Sequence, residues 1–342
     1  MRFLSKNIPD AIQIENPNCI SRFILAAGDH HVRHQGASGG AVSEIIRYLF
    51  SAGMVQTAIS YHFDNDELFV PHLIYSYEDY RQVGSIYHAI QIAHYLHLNK
   101  AAIKGAIVVV CLPCQVAAVR QLLSKSNIPH FIISLFCSGQ QKKEATWFYL
   151  NNIGVNRKDI VYFSYRGEGW PSGIRITTTD GTQKFDPNVG GNWGKFRTPP
   201  FCLRRCMFCK DTFGVNADIT AGDPWLKQYM KTETVGVSMV GTLTSKGDAV
   251  IHAMIQNGML ILLEEVADAV FVNSQESAIV GKFIKRNTLL WQRLFYRLST
   301  SRFYHNFILK KHLDWHIKFY KRFRRVDFIF LRIKLIFFGA AR

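Results

Sequence analysis

Apolar residues recur along this chain in short runs set apart by glycine, proline and polar breakers, and the runs alternate between helical and extended periodicity. Val42, Ile45, Ile46, Leu49 and Phe50 fall at helical spacing over Ala41 to Ala52, behind the glycine-rich stretch Gly36-Ala-Ser-Gly-Gly40 and ahead of Gly53, which can close the helix. Val55 to Phe63 reads as a strand and Gly84 to Leu98 as a helix. Gly105-Ala-Ile-Val-Val-Val-Cys111 is an uncharged β-branched run with no face suited to water, which predicts a strand buried on both sides. Helical periodicity returns over Gln115 to Leu123 after the break at Pro113, and Phe131 to Phe136 forms another buried strand. This βαβ rhythm predicts a parallel or mixed sheet with helices on its faces.

From Ile160 the segments become shorter, with more glycine and proline. Examples are Gly173-Ile-Arg-Ile-Thr-Thr-Thr and the loop from Pro187 to Pro200. The expected fold class is therefore α/β with α+β character, an irregular β-rich layer accompanying the first half. Val237 to Leu243 and Gly247 to Asn257 predict a last strand and helix before a helical C-terminal tail. The chain contains no internal repeat and no low-complexity segment.

With 342 residues, 48% of them hydrophobic, and a mean hydropathy of +0.00, the chain has the composition of about two globular domains, which excludes disorder and collagen. No run of 18 uncharged apolar residues occurs, and Met1 to Asp10 has two positive charges but no apolar stretch before Pro9. Neither a transmembrane helix nor a secretory signal is expected, and the reading is cytoplasmic. The net charge of +16 is unevenly distributed: residues 282–342 hold 16 Lys and Arg against only Asp314 and Asp327. A nearly balanced body thus carries a basic tail.

Seven cysteines are too sparse for a disulfide scaffold, which leaves free thiols, metal ligation or redox chemistry. Cys111-Leu-Pro-Cys114 lies where a buried strand turns into a helix, Cys137 follows a second strand in Phe136-Cys-Ser-Gly139, and Cys202, Cys206 and Cys209 form a CxxxCxxC. Thiolates at strand ends and on a tight loop can surround an iron–sulfur cube, which wants soft sulfur ligands in a water-poor pocket. Cys206 and Cys209 sit in a loop with no hydrophobic pattern, so ligation is the better account of them; on their own, Cys111 and Cys137 read better as ordinary buried cysteines. Zinc is the competitor, and it needs a second close pair, for which only Cys111 and Cys114 qualify. A radical-SAM site also uses CxxxCxxC, but after the first strand of a barrel near the N-terminus, not at 202–209. The Gly36 to Gly40 loop offers backbone N–H groups at a helix start, with Ser38 as cap, which suits a phosphate or diphosphate and equally a flexible turn.

These motifs occur together in one order. Gly36-Ala-Ser-Gly-Gly40, Gly84-Ser-Ile-Tyr87, Leu112-Pro-Cys-Gln115 with Ala117, Ala118 and Arg120, and Phe136-Cys-Ser-Gly139 come first. Arg166-Gly-Glu-Gly-Trp170, Cys206-Met-Phe-Cys-Lys-Asp211 and Ala217-Asp-Ile-Thr-Ala-Gly-Asp-Pro-Trp225 follow. Over residues 34–265 the chain resembles the beta subunit of coenzyme F420 hydrogenase/dehydrogenase, an iron–sulfur flavoprotein family that includes chlorophyll reductases and bacterial proteins of exopolysaccharide loci. The resemblance implies FAD beside a [4Fe-4S] cluster, so that a hydride at the flavin is exchanged for single electrons at the cluster. It divides the chain into an N-terminal extension (1–33), a flavin-binding α/β half (34–159), an iron–sulfur β-rich half (160–281) and the basic amphipathic tail (282–342).

Carried over onto these residues, the resemblance makes Cys114, Cys206 and Cys209 cluster ligands, with Cys202 and Cys137 competing for the fourth place. Ser38, Gly39, Gly40, Gly84, Ser85, Tyr87, Arg166 and Trp170 fall in the cofactor-binding segments, and Asp218 and Asp223 either brace the loop that carries them or serve a plain turn. Two departures stand out. The family's N-terminal ferredoxin-like CxxC pairs are missing, only Cys19 preceding residue 111, so a partner protein or reduced cofactor must supply electrons or the activity is lost. The usual Gly-Thr ahead of Pro-Cys is Cys111-Leu112, which offers Cys111 as an extra thiol. The expected function is an iron–sulfur flavoprotein oxidoreductase set by analogy in surface-polysaccharide assembly. Its alternative is a non-catalytic relative with a structural metal site.

In the tail, residues 315–338 interleave aromatic and aliphatic residues, among them Trp315, Phe319 and Phe328 to Phe338, with Lys318, Lys321, Arg322, Arg324, Arg325, Arg332 and Lys334. That composition suits a helix lying on an anionic membrane surface, and equally a helix packed on the body with a solvated basic face. Nucleic acid is disfavoured, because base-stacking sites do not need so apolar a run.

Overall fold

The computed structural model describes residues 17–198 and 200–287 and, beyond them, residue 294 and residues 297–299, 301, 303–309 and 311–322. The apolar tail stretch Phe328 to Phe338 lies outside the described residues. In chain order the elements are β1 (Arg22–Ala27), α1 (His30–Gln35), α2 (Ala41–Ser51), β2 (Thr57–Asp64), β3 (Leu68–Ile74), α3 (Ile92–Asn99), β4 (Ile107–Cys111), α4 (Pro113–Lys125), β5 (His130–Leu135) and α5 (Lys143–Asn152). They continue with β6 (Ile160–Ser164), β7 (Gly173–Thr178), β8 (Gln183–Pro187), β9 (Ile219–Gly222), α6 (Lys227–Thr232), β10 (Ser238–Thr242), α7 (Ser245–Gln256), β11 (Leu260–Glu265), α8 (Asp268–Asn273) and α9 (Glu276–Asn287).

One eight-stranded mixed sheet runs in the order β11-β1-β10-β9-β5-β4-β2-β3. Its centre is parallel, with β2 on β4, β4 on β5 and β5 on β9, and its flanks are antiparallel. The β-branched β4 is the predicted doubly buried strand. On one face Ile45, Ile46 and Leu49 of α2 meet Val250, Ile251 and Met254 of α7; on the other, Ile92 and Leu96 of α3 meet Val116, Val119 and Leu123 of α4. The expected mixed sheet with flanking helices is thus the observed one.

The sheet does not follow the expected borders. Arg22–Ala27, within the expected N-terminal extension, is an interior strand whose residues Phe23 to Ala27 are all at most 1% exposed. Strands β9 to β11, from the expected β-rich half, complete the same sheet as β2 to β5. What stands apart is the three-stranded sheet β6-β7-β8, joined to the rest by an aromatic core in which Phe69 of β3 packs on Phe163 and Tyr165, and Tyr165 in turn on Trp193, which meets Tyr149 and Phe196. The helix expected over Gly84 to Leu98 begins only at Ile92. Gly84 has φ +66°, and a Cβ there would lie 2.0 Å from the Arg166 carbonyl oxygen, so the preceding segment is held against Arg166 instead of coiling.

Part of the tail packs back on the body. Leu309 enters the aromatic core, and Ile317 and Tyr320 are buried. Fully buried His316 lies 3.0 Å from Thr198 Oγ1 through Nε2 and 2.8 Å from the Tyr304 hydroxyl through Nδ1.

Burial pushes the His316 pKa down to about 4 from 6.5, and that of His88 likewise to about 4, with Lys143 adding to the effect at His88. Between those values the unfolded chain binds protons that the folded chain refuses. Stability is therefore complete above about pH 6.5 and falls as the pH drops toward 4, by at most on the order of 3 kcal/mol per histidine. His316→Gln, which keeps a donor and an acceptor, is expected to flatten the dependence of Tm on pH in this window. An unchanged slope in thermal melts from pH 7 to 4 contradicts that assignment.

Candidate functional site

The parallel strands β4, β5 and β9 end at the same edge of the sheet, and the chain leaves each one through a segment carrying site residues: Leu112 to Cys114, Phe136 to Gly139, and Asp223 to Trp225. In open α/β sheets this carboxyl edge is where ligands bind. Two cavities open there.

The smaller, about 180 Å³, is lined by Cys114, Cys137, Cys206 and Cys209, with Arg205, Asp211, Gln140 and Lys282 around them. Four of the five predicted metal-site cysteines thus share one cavity. Cys202 is outside its lining and sits in a backbone bridge with Gln141. Cys111 is only 3% exposed, in the apolar cluster between the sheet and α4, and burial pushes its thiol up to about 12; Cys19, also buried, is pushed up to about 12 as well. Neither belongs to the thiol cavity.

Burial also raises the Cys137 thiol to about 11 and raises that of Cys114, where Arg205 and then Lys282 act in the opposite sense. The backbone N–H of Gln140 donates to Cys206 Sγ at 3.4 Å, and Lys282 Nζ donates to Cys209 Sγ at 3.5 Å. Asp211 Oδ1 accepts from the amides of Phe213 and Gly214 at 2.9 and 2.7 Å, which fixes the exit of the CxxC loop. The cavity far exceeds the roughly 10–15 Å³ that one water needs. Among the described residues no three His, Cys, Asp or Glu side chains are grouped so as to hold a single metal ion. The donor set is four thiols with basic neighbours, which fits an anionic thiolate-bound cluster.

The larger cavity, about 390 Å³, runs past the Gly36 to Gly40 loop, the Gly84 to His88 segment, Arg166 and Trp225. Ser38, Gly40, Gly84, Ser85, Tyr87 and Arg166 line it, whereas Gly39 and Trp170 stand behind its wall. Ser38 does not cap α2; Gly40, at φ +74°, is the N-cap, and the Ser38 hydroxyl lies 2.9 Å from that of Ser238. A Cβ on Gly39 would come within 2.7 Å of the Val237 and Ser238 backbone, so this glycine is required by the approach of the loop to β10.

Arg166, 2% exposed, forms a bidentate pair with Asp223 at 2.7 and 2.8 Å and also donates to the Ala37 carbonyl. Burial opposes its charge, but Asp223 and Tyr87 together outweigh that effect and hold its pKa above the ordinary value. Trp170 Nε1 donates to Asp223 Oδ1 at 2.7 Å, and the Trp170 and Trp225 rings lie 5.4 Å apart. Asp223 therefore braces the site. Asp218 is fully buried at the start of β9, accepting from the Ile132 amide at 2.8 Å and from Thr244 Oγ1 at 3.0 Å; it ties strands together away from the cavities.

The two cavities have Leu112, Cys137, Gly139 and Gln140 in common. Sequence reasoning did not single out Gln140, whose side-chain amide donates to the carbonyls of Ile86 and His88, nor Lys282, hidden in a run of tail charges.

The family model for the coenzyme F420 hydrogenase/dehydrogenase beta subunit N-terminus matches residues 24–97, and that for its C-terminus matches residues 105–268. The chain belongs to the coenzyme F420 hydrogenase/dehydrogenase beta-subunit family. A chain of the F420-reducing [NiFe] hydrogenase complex from Methanosarcina barkeri has the same fold, with a TM-score of 0.59 at 15% identity over 80% of this chain and 93% of that one. Among curated proteins none matches the sequence. Membership in this beta-subunit family makes the chain one of a group of oxidoreductase subunits.

Arg166→Met is expected to lower stability by about 3 kcal/mol, because Asp223 is then left largely buried without its cation. Chemical denaturation checks this, and a loss below about 0.5 kcal/mol contradicts the bracing role of the pair.

Proposed function

We propose that this protein is an iron–sulfur flavoprotein oxidoreductase subunit that holds a [4Fe-4S] cluster in the thiol cavity and FAD in the adjoining one. The observation that carries the reading is that Cys114, Cys137, Cys206 and Cys209, from three separate segments, line one cavity whose wall is shared with the larger one. When bound, a flavin supplies two-electron hydride chemistry and a [4Fe-4S] cluster supplies single-electron steps. Cys137 takes the fourth ligand position in preference to Cys202. The Gln140 amide and Lys282 offer hydrogen bonds to the sulfurs, and the loop from Leu112 to Cys114 closes the cavity from the end of β4. The first turn of α2 has no side-chain cap and borders the larger cavity through Ala41, Val42 and Ser43, where its amides suit a diphosphate. Electrons come from a partner protein or a reduced cofactor, and by analogy with family members of exopolysaccharide loci the reaction belongs to surface-polysaccharide assembly.

Anaerobically prepared protein is expected to be brown, with about four irons per chain. Cys137→Ser, Cys206→Ser and Cys209→Ser are each expected to lose the iron, while Cys202→Ser and Cys19→Ser retain it. The same preparation binds FAD or FMN in calorimetric titration. Stoichiometric zinc without iron, or an intact cluster with no affinity for either flavin, favours the non-catalytic alternative with a structural metal site.

The tail directs the subunit to an anionic membrane surface from the cytoplasmic side. No helix among the described residues is long and apolar enough to cross a membrane. The helical segment 313–322 buries His316, Ile317 and Tyr320 against the body and presents Trp315, Phe319, Lys318 and Arg322 to solvent, the rings of Trp315 and Phe319 stacking at 5.1 Å. Exposed aromatics among lysine and arginine suit a lipid interface, each charge adding about 1 kcal/mol near anionic lipid. Full-length protein is expected to sediment with phosphatidylserine vesicles at low salt and to be released at high salt, and Trp315→Ser with Phe319→Ser to weaken binding several-fold. Equal binding to neutral and anionic vesicles contradicts the electrostatic docking.

A further inference from the structure

Helix α9 reaches both cavities. Ala278 and, just before it, Gln275 and Ser277 line the larger one, and Lys282 lines the smaller. Lys282 is 3% exposed, and among the described residues no carboxylate forms an ion pair with it. Its ammonium donates to the Asp211 carbonyl oxygen and, at 3.5 Å, to Cys209 Sγ. A buried ammonium is costly unless a negative charge compensates it. The groups lining its cavity include four thiols, one carboxylate, and one further cation, the exposed Arg205. A cube held by four thiolates is a net dianion, and a trianion after one-electron reduction, so the charge missing around Lys282 is the charge such a cluster brings.

We propose that Lys282 is the counter-cation of the cluster site, setting the cluster's reduction potential and tying the C-terminal helix to the CxxC loop. The assignment rests on the cluster reading of the preceding section. A fixed positive charge beside the sulfurs stabilises the reduced, more negative state over the oxidised one and so raises the potential.

The test uses the full-length protein prepared anaerobically, titrated with dithionite and redox mediators while the reduced cluster is followed by electron paramagnetic resonance, with iron content and Tm measured in parallel. Wild-type protein without iron overturns the cluster reading itself, whatever the variants do. With wild-type iron in place, Lys282→Met is expected to shift the midpoint potential to a more negative value or to lose iron, and Lys282→Arg to keep both iron and a potential near wild type. An unchanged potential in Lys282→Met with iron retained overturns the proposal, even if Tm falls, because a merely structural lysine moves Tm alone. Equal loss of iron in both variants also overturns it, since side-chain shape and not charge is then what the site requires.

Discussion

The walls of the site meet at one carboxylate. Asp223, directly after β9, accepts two bonds from Arg166 and one from Trp170, and its backbone carbonyl accepts from the Gln275 amide. Arg166 passes the constraint on to the Ala37 carbonyl and, through its own backbone, to Gly84. Five segments far apart in sequence are thereby held around one cavity: the glycine loop, the Gly84 segment, the Arg166 to Trp170 turn, the end of β9 and the start of α9. The pair holds this geometry because separating the guanidinium, 2% exposed, from the carboxylate, 16% exposed, would leave a largely buried charge unpaired.

Around that brace, the parallel centre of the sheet decides what the site contains. Strands β4 and β5 deliver Cys114 and Cys137 to one edge, and the loop ahead of β9 brings Cys206 and Cys209 back to the same place. The shared wall of Leu112, Cys137, Gly139 and Gln140 puts the thiol cavity against the larger one, so groups bound in the two would be neighbours. Gln140 works on both sides of this wall, with its backbone amide on Cys206 and its side chain on the Ile86 and His88 carbonyls.

Much of this was legible where one physical cause dominates a local stretch. The uncharged run of β4 and the helical stripe of α2 each have a single reading, and each element is where it was expected. Misreadings arise where a pattern has two causes. Ile86, Tyr87 and Ile90 pack on the aromatic core from an extended segment, which imitates a helix stripe, and Arg22–Ala27 is too short and too near the chain start to announce an interior strand. Cys202 is close to Cys206 in sequence and Cys137 is not, yet Cys137 shares the cavity, because spacing says nothing of which strand ends adjoin. Lys282 was hidden for the opposite reason: among 16 basic tail residues nothing local distinguishes a buried lysine from its solvated neighbours.

The central claim is that four thiols from three segments enclose one iron–sulfur cluster. Diffraction from anaerobically grown crystals, collected on both sides of the iron absorption edge, tests it most directly. The account predicts strong anomalous density of several irons within the cavity bounded by Cys114, Cys137, Cys206 and Cys209. Density at the zinc edge alone, or iron bound through Cys202 with Cys137 uninvolved, would contradict it.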